Sequence, residues 1–92
     1  MALGISQNQR DAELLARFSK GDRAAALALT SRLAPVVFAQ AFRMLGDRAE
    51  AEDVTQESLL RLWKAAPGWD ATRAKITTWL YRVTSNLCID CL

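Results

Sequence analysis

The chain has 92 residues, with 12 Lys and Arg against 10 Asp and Glu for a formal net charge of +2; 51% of it is hydrophobic and 24% charged. That is one packed domain near the lower end of domain size, and it excludes a disordered tail. No histidine is present, which removes His-based acid–base catalysis, Ser-His-Asp and Cys-His triads and the common zinc sites.

A fold that works by binding is therefore expected, with no enzymatic activity, no catalytic residue, no metal and no cofactor. The stretch 1–9 lacks the charged start and long apolar segment of a signal peptide, and no apolar run is read as approaching the ~20 residues of a membrane span. A cytoplasmic protein without membrane insertion follows as an expectation, with both cysteines reduced.

Strand-like alternation is absent and the helix formers Ala and Leu dominate, so the fold class is all-α, a compact bundle of three to four helices. Residues 1–9 are polar and expected to be frayed. A first helix is predicted over 10–20, with Leu14, Leu15 and Phe18 as its apolar stripe and Gly21 stopping it in a left-handed cap. Asp22 caps a second segment reaching Leu45, with Leu27, Leu33, Val37, Ala41 and Met44 at helical spacing. Pro35 in its middle predicts either a kink or a break with a new helix starting there. Gly46 ends it.

The third helix starts at Asp47-Arg48-Ala49-Glu50, which fits a capping box, and its acids suit the positive end of the helix dipole. Val54, Leu59, Leu62 and Trp63 form its core stripe, and Pro67-Gly68 ends it. The loop that follows carries Trp69, Asp70, Arg73 and Lys75. A fourth helix runs from about Lys75 to the end, with Ile76, Leu80, Val83 and Leu87 facing the core. Thr78, Arg82, Ser85 and Ile89, with Thr77, Tyr81 and Asn86 nearby, make a polar, weakly basic side.

Charge is uneven along the chain. Five acids and one base lie between Asp47 and Glu57, whereas five bases and two acids follow from Ser58 onward. This describes either two solvated helix faces or two binding surfaces of opposite sign. Cys88-Ile89-Asp90-Cys91 is a C-x-x-C string, but it ends a helix and has no further ligands for zinc; its thiols are read as structural or incidental. Arg and Lys can hold phosphates, Asn, Ser and Thr can read base edges, and aromatic rings can stack on unpaired bases. Trp63 and Trp79 lie on or beside apolar stripes and read as core anchors. Trp69 stays open between core and base contact.

The strings Gly21-Asp22, Leu45-Gly46-Asp47-Arg48, Ala51-Glu52-Asp53-Val54-Thr55-Gln56-Glu57, Leu62-Trp63-Lys64 and Thr78-Trp79-Leu80-Tyr81-Arg82-Val83 through Asn86-Leu87-Cys88-Ile89-Asp90 occur in one order. In this order they resemble the second conserved region of a bacterial sigma factor, most closely of the extracytoplasmic-function (ECF) group. The resemblance runs from about Asp11 to Leu92. It implies a transcription initiation domain whose third helix docks on the clamp helices of the RNA polymerase beta-prime subunit, with Asp53, Gln56, Glu57 and Arg61 as polymerase-binding residues. It also implies that the loop and fourth helix recognise and help melt the minus-ten promoter element through its single non-template strand. Trp69, Arg73, Lys75, Thr78, Arg82, Ser85 and Asn86 are then the DNA-binding residues, with a flipped base held beside the loop.

Two departures from the family pattern stand out. The strings end at Leu92, where the family continues with basic residues, a linker and a helix-turn-helix domain. The expectation is thus an isolated domain, with 1–9 a flexible N-terminal segment and 10–92 a single helical region 2 domain. The stretch before Ile76 also lacks the paired-Trp melting motif of housekeeping factors, as the ECF group does. The alternative function is a regulatory module mainly engaged by an anti-sigma factor, and a third reading is a plain helical adaptor.

Overall fold

Ser6 opens the first helix. Its hydroxyl accepts from the Gln9 main-chain N–H while the Gln9 side chain accepts from the Ser6 N–H, a reciprocal capping box. In the computed structural model, which describes residues 6–92, α1 spans Gln7–Ser19, α2 Arg23–Leu45, α3 Arg48–Ala65 and α4 Ile76–Cys91, with a 3-10 turn at Ala66–Gly68. The all-α bundle expected from the sequence is what the chain forms, and no strand occurs among the described residues. The first helix starts earlier than expected, because Ser6 and Gln9 supply a cap that polar composition alone conceals. Of the frayed stretch expected at 1–9, residues 1–5 lie outside the described residues.

Gly21 (φ 97°) and Gly46 (φ 68°) adopt the left-handed conformation after α1 and α2. Asp22 and Asp47 accept from the main-chain N–H groups of Ala25 and Glu50 and so start α2 and α3.

Pro35 does not break α2, which is one 23-residue helix. Leu33 and Val37, buried on either side of the exposed proline, hold the helix against the core. α2 is the hub, packing against α1, α3 and α4. It is also the one described helix long and apolar enough to cross a bilayer by length and composition, although Arg32 and Arg43 interrupt its apolar run. Its buried stripe of Leu29, Leu33, Val37 and Ala41 is occupied by core packing.

Two positions on α2 depart from the expected stripe. Leu27 is 69% exposed and Met44 sits at the exposed margin. The helix turns Leu27 away from the line on which Leu29 and Leu33 meet their neighbours.

α4 also differs. Ile76, Leu80, Thr84 and Cys88 form its buried face, while Val83 and Leu87 are only half-buried. Apolarity alone favours Val83 and Leu87, but Thr84 can be buried because its Oγ1 donates to Ser58 Oγ at 3.1 Å in the α3–α4 interface. Cys88 is a free, fully buried thiol packed with Ala41, Ala51 and Val54, and burial pushes its pKa up; Cys91 is free and exposed. Each fully buried Leu or Ile of this core contributes about 1.5–3 kcal/mol.

Candidate functional site

The two expected surfaces lie on different elements. On α3, Ala51, Val54, Thr55, Ser58, Leu59 and Leu62 point inward. Asp53, Gln56, Glu57, Leu60 and Arg61 therefore share the outer face, at i, i+3, i+4, i+7 and i+8 spacing. Asp53, Gln56 and Arg61 are exposed and Glu57 is partly so.

Arg61 Nε donates to Glu57 Oε2 at 3.1 Å, one turn away, and Arg48 pairs with Glu52 at 3.5 Å. Two of the five acids, Glu52 and Glu57, are thus paired within their own helix. Asp53 has no ion-pair partner among the described residues. Leu60, 49% exposed, adds an apolar centre to this charged face. The sequence reading passed over it, although an apolar residue on the polar side of an amphipathic helix is the signal that marks it.

Beside this face runs an open groove of about 530 Å³ between α2 and α3, lined by Ala34, Pro35, Phe38, Glu52, Thr55 and Gln56. Phe38 stacks with Phe42 at 5.9 Å, and the Arg48 guanidinium lies 5.4 Å from the Phe38 ring centre.

The second surface begins in the α3–α4 loop. Asp70 Oδ1 accepts from the Thr72 hydroxyl at 2.6 Å and from the Thr72 main-chain N–H at 2.9 Å, and the Arg73 N–H donates to the Asp70 carbonyl at 3.1 Å. These bonds shape the loop, and the Thr72 hydroxyl, then its N–H, hold the Asp70 carboxyl below its ordinary pKa.

Trp69 meets Trp79 edge-on, with centroids 5.4 Å apart and planes at 89°. Both rings are half-buried against the core and both line a cavity of about 210 Å³ with Gly68, Asp70, Arg73 and Ala74. Trp69 is therefore core anchor and cavity wall at once, and Trp79, expected in the core, shares that double role. Trp63 packs on Phe18 at 4.7 Å, in the core as expected. Trp69 Nε1 is the one buried side-chain polar atom without a partner among the described residues.

Arg73 and Lys75 are exposed. Lys75 precedes α4 without a side-chain cap, and the first turn of α4 holds no acid. The positive end of this helix is thus unopposed, a setting that favours an anion. A further groove along α4 is lined by Thr77, Thr78, Tyr81 and Arg82. Thr78, Arg82 and Asn86 are exposed there and Ser85 is half-buried. Tyr81 is 60% exposed, an aromatic ring on a polar face.

Gln40 of α2, absent from the sequence reading, reaches this helix from behind and donates to the Tyr81 carbonyl and to Ser85 Oγ. A polar residue beside Val37 and Ala41 in an apolar stripe was its only sequence signal.

The sigma-70 region 2 family profile matches residues 29–92. The ECF RNA polymerase sigma factor SigW of Bacillus subtilis is 38% identical over 71 residues, which are 77% of this chain and 37% of SigW. SigG of Mycobacterium tuberculosis is 43% identical over 56 residues, 61% of this chain and 15% of SigG. The chain thus spans well under half the length of these relatives. An engineered region 2 of sigmaE, solved by NMR in complex with GTAAAA, superposes with a TM-score of 0.76 and 29% identity, covering 94% of this chain and 88% of its own. The match over most of the chain, the ECF relatives and the shared fold together place the chain in the sigma-70 family, as a region 2 domain of an ECF sigma factor.

Proposed function

We propose that this domain acts in transcription initiation by binding, docking on the polymerase beta-prime clamp helices through α3 and holding the single non-template strand of a minus-ten element on the α3–α4 loop and α4. The observation that carries the reading is the fold shared with a region 2 solved in complex with GTAAAA. The cavity of Trp69 and Trp79, the exposed Arg73 and Lys75 and the polar groove of α4 lie on consecutive stretches of this chain.

Asp53, Gln56 and Glu57 present acceptors to a basic coiled coil, Leu60 adds an apolar centre, and Arg61 holds Glu57 in place as a donor. Carboxylates accept charge-assisted bonds from arginine, and charge complementarity speeds encounter and sets register. Arg73, Lys75 and Arg82 meet phosphates, which supplies sequence-independent affinity. A base turned out of the stack enters the Trp69–Trp79 cavity; its unstacking, which costs a few kcal/mol, is offset by contact with the aromatic walls. Thr78, Ser85 and Asn86 supply donors and acceptors for the neighbouring bases. The working compartment is the cytoplasm, where polymerase and promoter are found. An anti-sigma factor is the regulatory counterpart of this reading, and the apolar groove at Pro35 and Phe38 beside the α3 face offers it a seat.

The test is fluorescence anisotropy with a labelled single-stranded GTAAAA hexanucleotide and a scrambled hexanucleotide, with and without a clamp-helix fragment. Weak binding that favours GTAAAA and tightens when the clamp is added supports the proposal. Equal affinity for both strands in both conditions contradicts it.

A further inference from the structure

Gln40 is only 6% exposed, and its amide is committed. Nε2 donates to the Tyr81 main-chain carbonyl and to Ser85 Oγ, each at 3.0 Å. A carbonyl oxygen can only accept, so the amide nitrogen must face α4.

A serine or threonine hydroxyl inside a helix ordinarily donates to the carbonyl three or four residues earlier, as Ser19 does to Ala16 at the end of α1. Thr55 does this in α3, with Oγ1 2.7 Å from the Ala51 carbonyl. For Ser85 the equivalent carbonyl belongs to Tyr81. That oxygen has two lone pairs, one for the helical N–H of Ser85 and one taken by Gln40. Gln40 also fills an acceptor position on Ser85 Oγ itself. The Ser85 hydroxyl thus receives a bond from the core and is displaced from its usual intrahelical acceptor. Among the described residues the Ser85 hydroxyl accepts from Gln40 and donates no hydrogen bond of its own. Ser85 is half-buried, and Arg82 and Asn86, one turn before it and next to it in sequence, are exposed.

We propose that Gln40 is a positioning residue that commits the Ser85 hydroxyl to act as a hydrogen-bond donor toward an acceptor atom of the bound DNA strand. This rests on the strand-binding reading above and adds to it a buried residue of α2 that never meets the DNA. A free serine hydroxyl rotates between donating and accepting. One that already accepts from a fixed amide, with its intrahelical acceptor occupied, is preorganised to donate outward, which spares the ordering otherwise lost on binding.

The experiment is a double-mutant cycle with Gln40→Met and Ser85→Ala, read as affinity for the single-stranded GTAAAA probe, with circular dichroism as the check on folding. Methionine keeps the length of the side chain and removes the amide. Ser85→Ala should weaken binding by about 2- to 10-fold, the scale of one neutral hydrogen bond. Gln40→Met should weaken it by a similar factor when Ser85 is present and leave it unchanged in the Ser85→Ala background, because Gln40 acts only through that hydroxyl. An equal loss from Gln40→Met in both backgrounds would mean that it acts through general packing and would overturn the proposal, as would no loss at all.

Ser85→Cys, with its weakly donating thiol, provides a check that leaves Gln40 untouched. It should bind like Ser85→Ala, and wild-type affinity there also overturns the proposal. If Ser85→Ala weakens binding while Gln40→Met does not, only the role of Gln40 fails. If the unmutated domain does not bind the probe, the strand-binding reading fails with it.

Discussion

Asp11 of α1 and Arg32 of α2 form a two-point ion pair across the helix interface: Arg32 Nε donates to Asp11 Oδ1 at 2.9 Å, and Nη2 donates to Oδ2. The Asp11 side chain is 1% exposed and that of Arg32 34% exposed. Gln7 Nε2 adds a third donor to the carboxylate at 3.1 Å. The pair fastens the first helix to the hub, and its asymmetry in burial makes a prediction. Arg32→Ala leaves a carboxylate buried beside one amide and should destabilise the fold by about 3–5 kcal/mol. Asp11→Ala lets the half-exposed guanidinium return to water and should cost clearly less. Urea unfolding of both variants checks this, and equal losses would contradict it.

The buried face of α4 yields a second test. Leu80, 2% exposed, should cost about 2–5 kcal/mol on replacement by Ala. Val83, half-buried, should cost less on the same change, despite its place in the apolar pattern of the sequence. A Val83→Ala loss equal to that of Leu80→Ala in thermal or urea unfolding would mean that the helix is rotated from the orientation described.

The outer face of α3 separates binding from folding. Asp53 is exposed and without an ion-pair partner among the described residues, and Glu57 pairs only with Arg61 on the same helix. Exposed pairs of this kind contribute about 0–1 kcal/mol. Asp53→Lys with Glu57→Lys should therefore leave helicity and unfolding nearly unchanged while weakening association with a clamp-helix fragment at least tenfold. Unchanged affinity in a calorimetric titration would remove this face from the polymerase interface.

Salt reports the phosphate contacts. If three cations, Arg73, Lys75 and Arg82, each meet a phosphate, log affinity for single strands should fall with log salt at a slope near −2, at ~0.7 per contact. Arg73→Ala or Lys75→Ala should each make the slope shallower by about 0.7 and weaken GTAAAA and scrambled strands alike. Asn86→Ala should instead reduce the preference between them by roughly 1–3 kcal/mol, on the scale of a good base contact. A slope of zero would remove the phosphate contacts.

Much of this architecture is legible in the sequence because its signals are local. Asp22 and Asp47 mark helix starts and Gly21 and Gly46 mark helix ends through bonds and dihedrals confined to a few residues. What stayed hidden depends on partners distant in sequence. Thr84 is buried because Ser58, on another helix, accepts its hydroxyl proton. Leu27 is exposed because nothing packs over its side of α2, which no spacing along the chain reveals. The acids and bases of the two surfaces could be placed on helix faces by counting. The cavity wall could not, since it requires Trp69 from the loop to meet Trp79 from α4. Gln40 was the least legible, because its role lies wholly in two atoms of a helix some forty residues away.

The claim that the α3–α4 loop and α4 hold a single strand is tested most directly by the three tryptophan indole N–H resonances in an NMR titration with single-stranded GTAAAA. Trp69 and Trp79 line the loop cavity, whereas Trp63 packs on Phe18 in the core. The resonances of Trp69 and Trp79 should move as the strand binds, with the Trp69 N–H, unpartnered in the free domain, moving furthest, and that of Trp63 should stay in place. Saturable binding that moves Trp63 and leaves Trp69 and Trp79 unchanged would place the strand elsewhere on the domain and contradict the account.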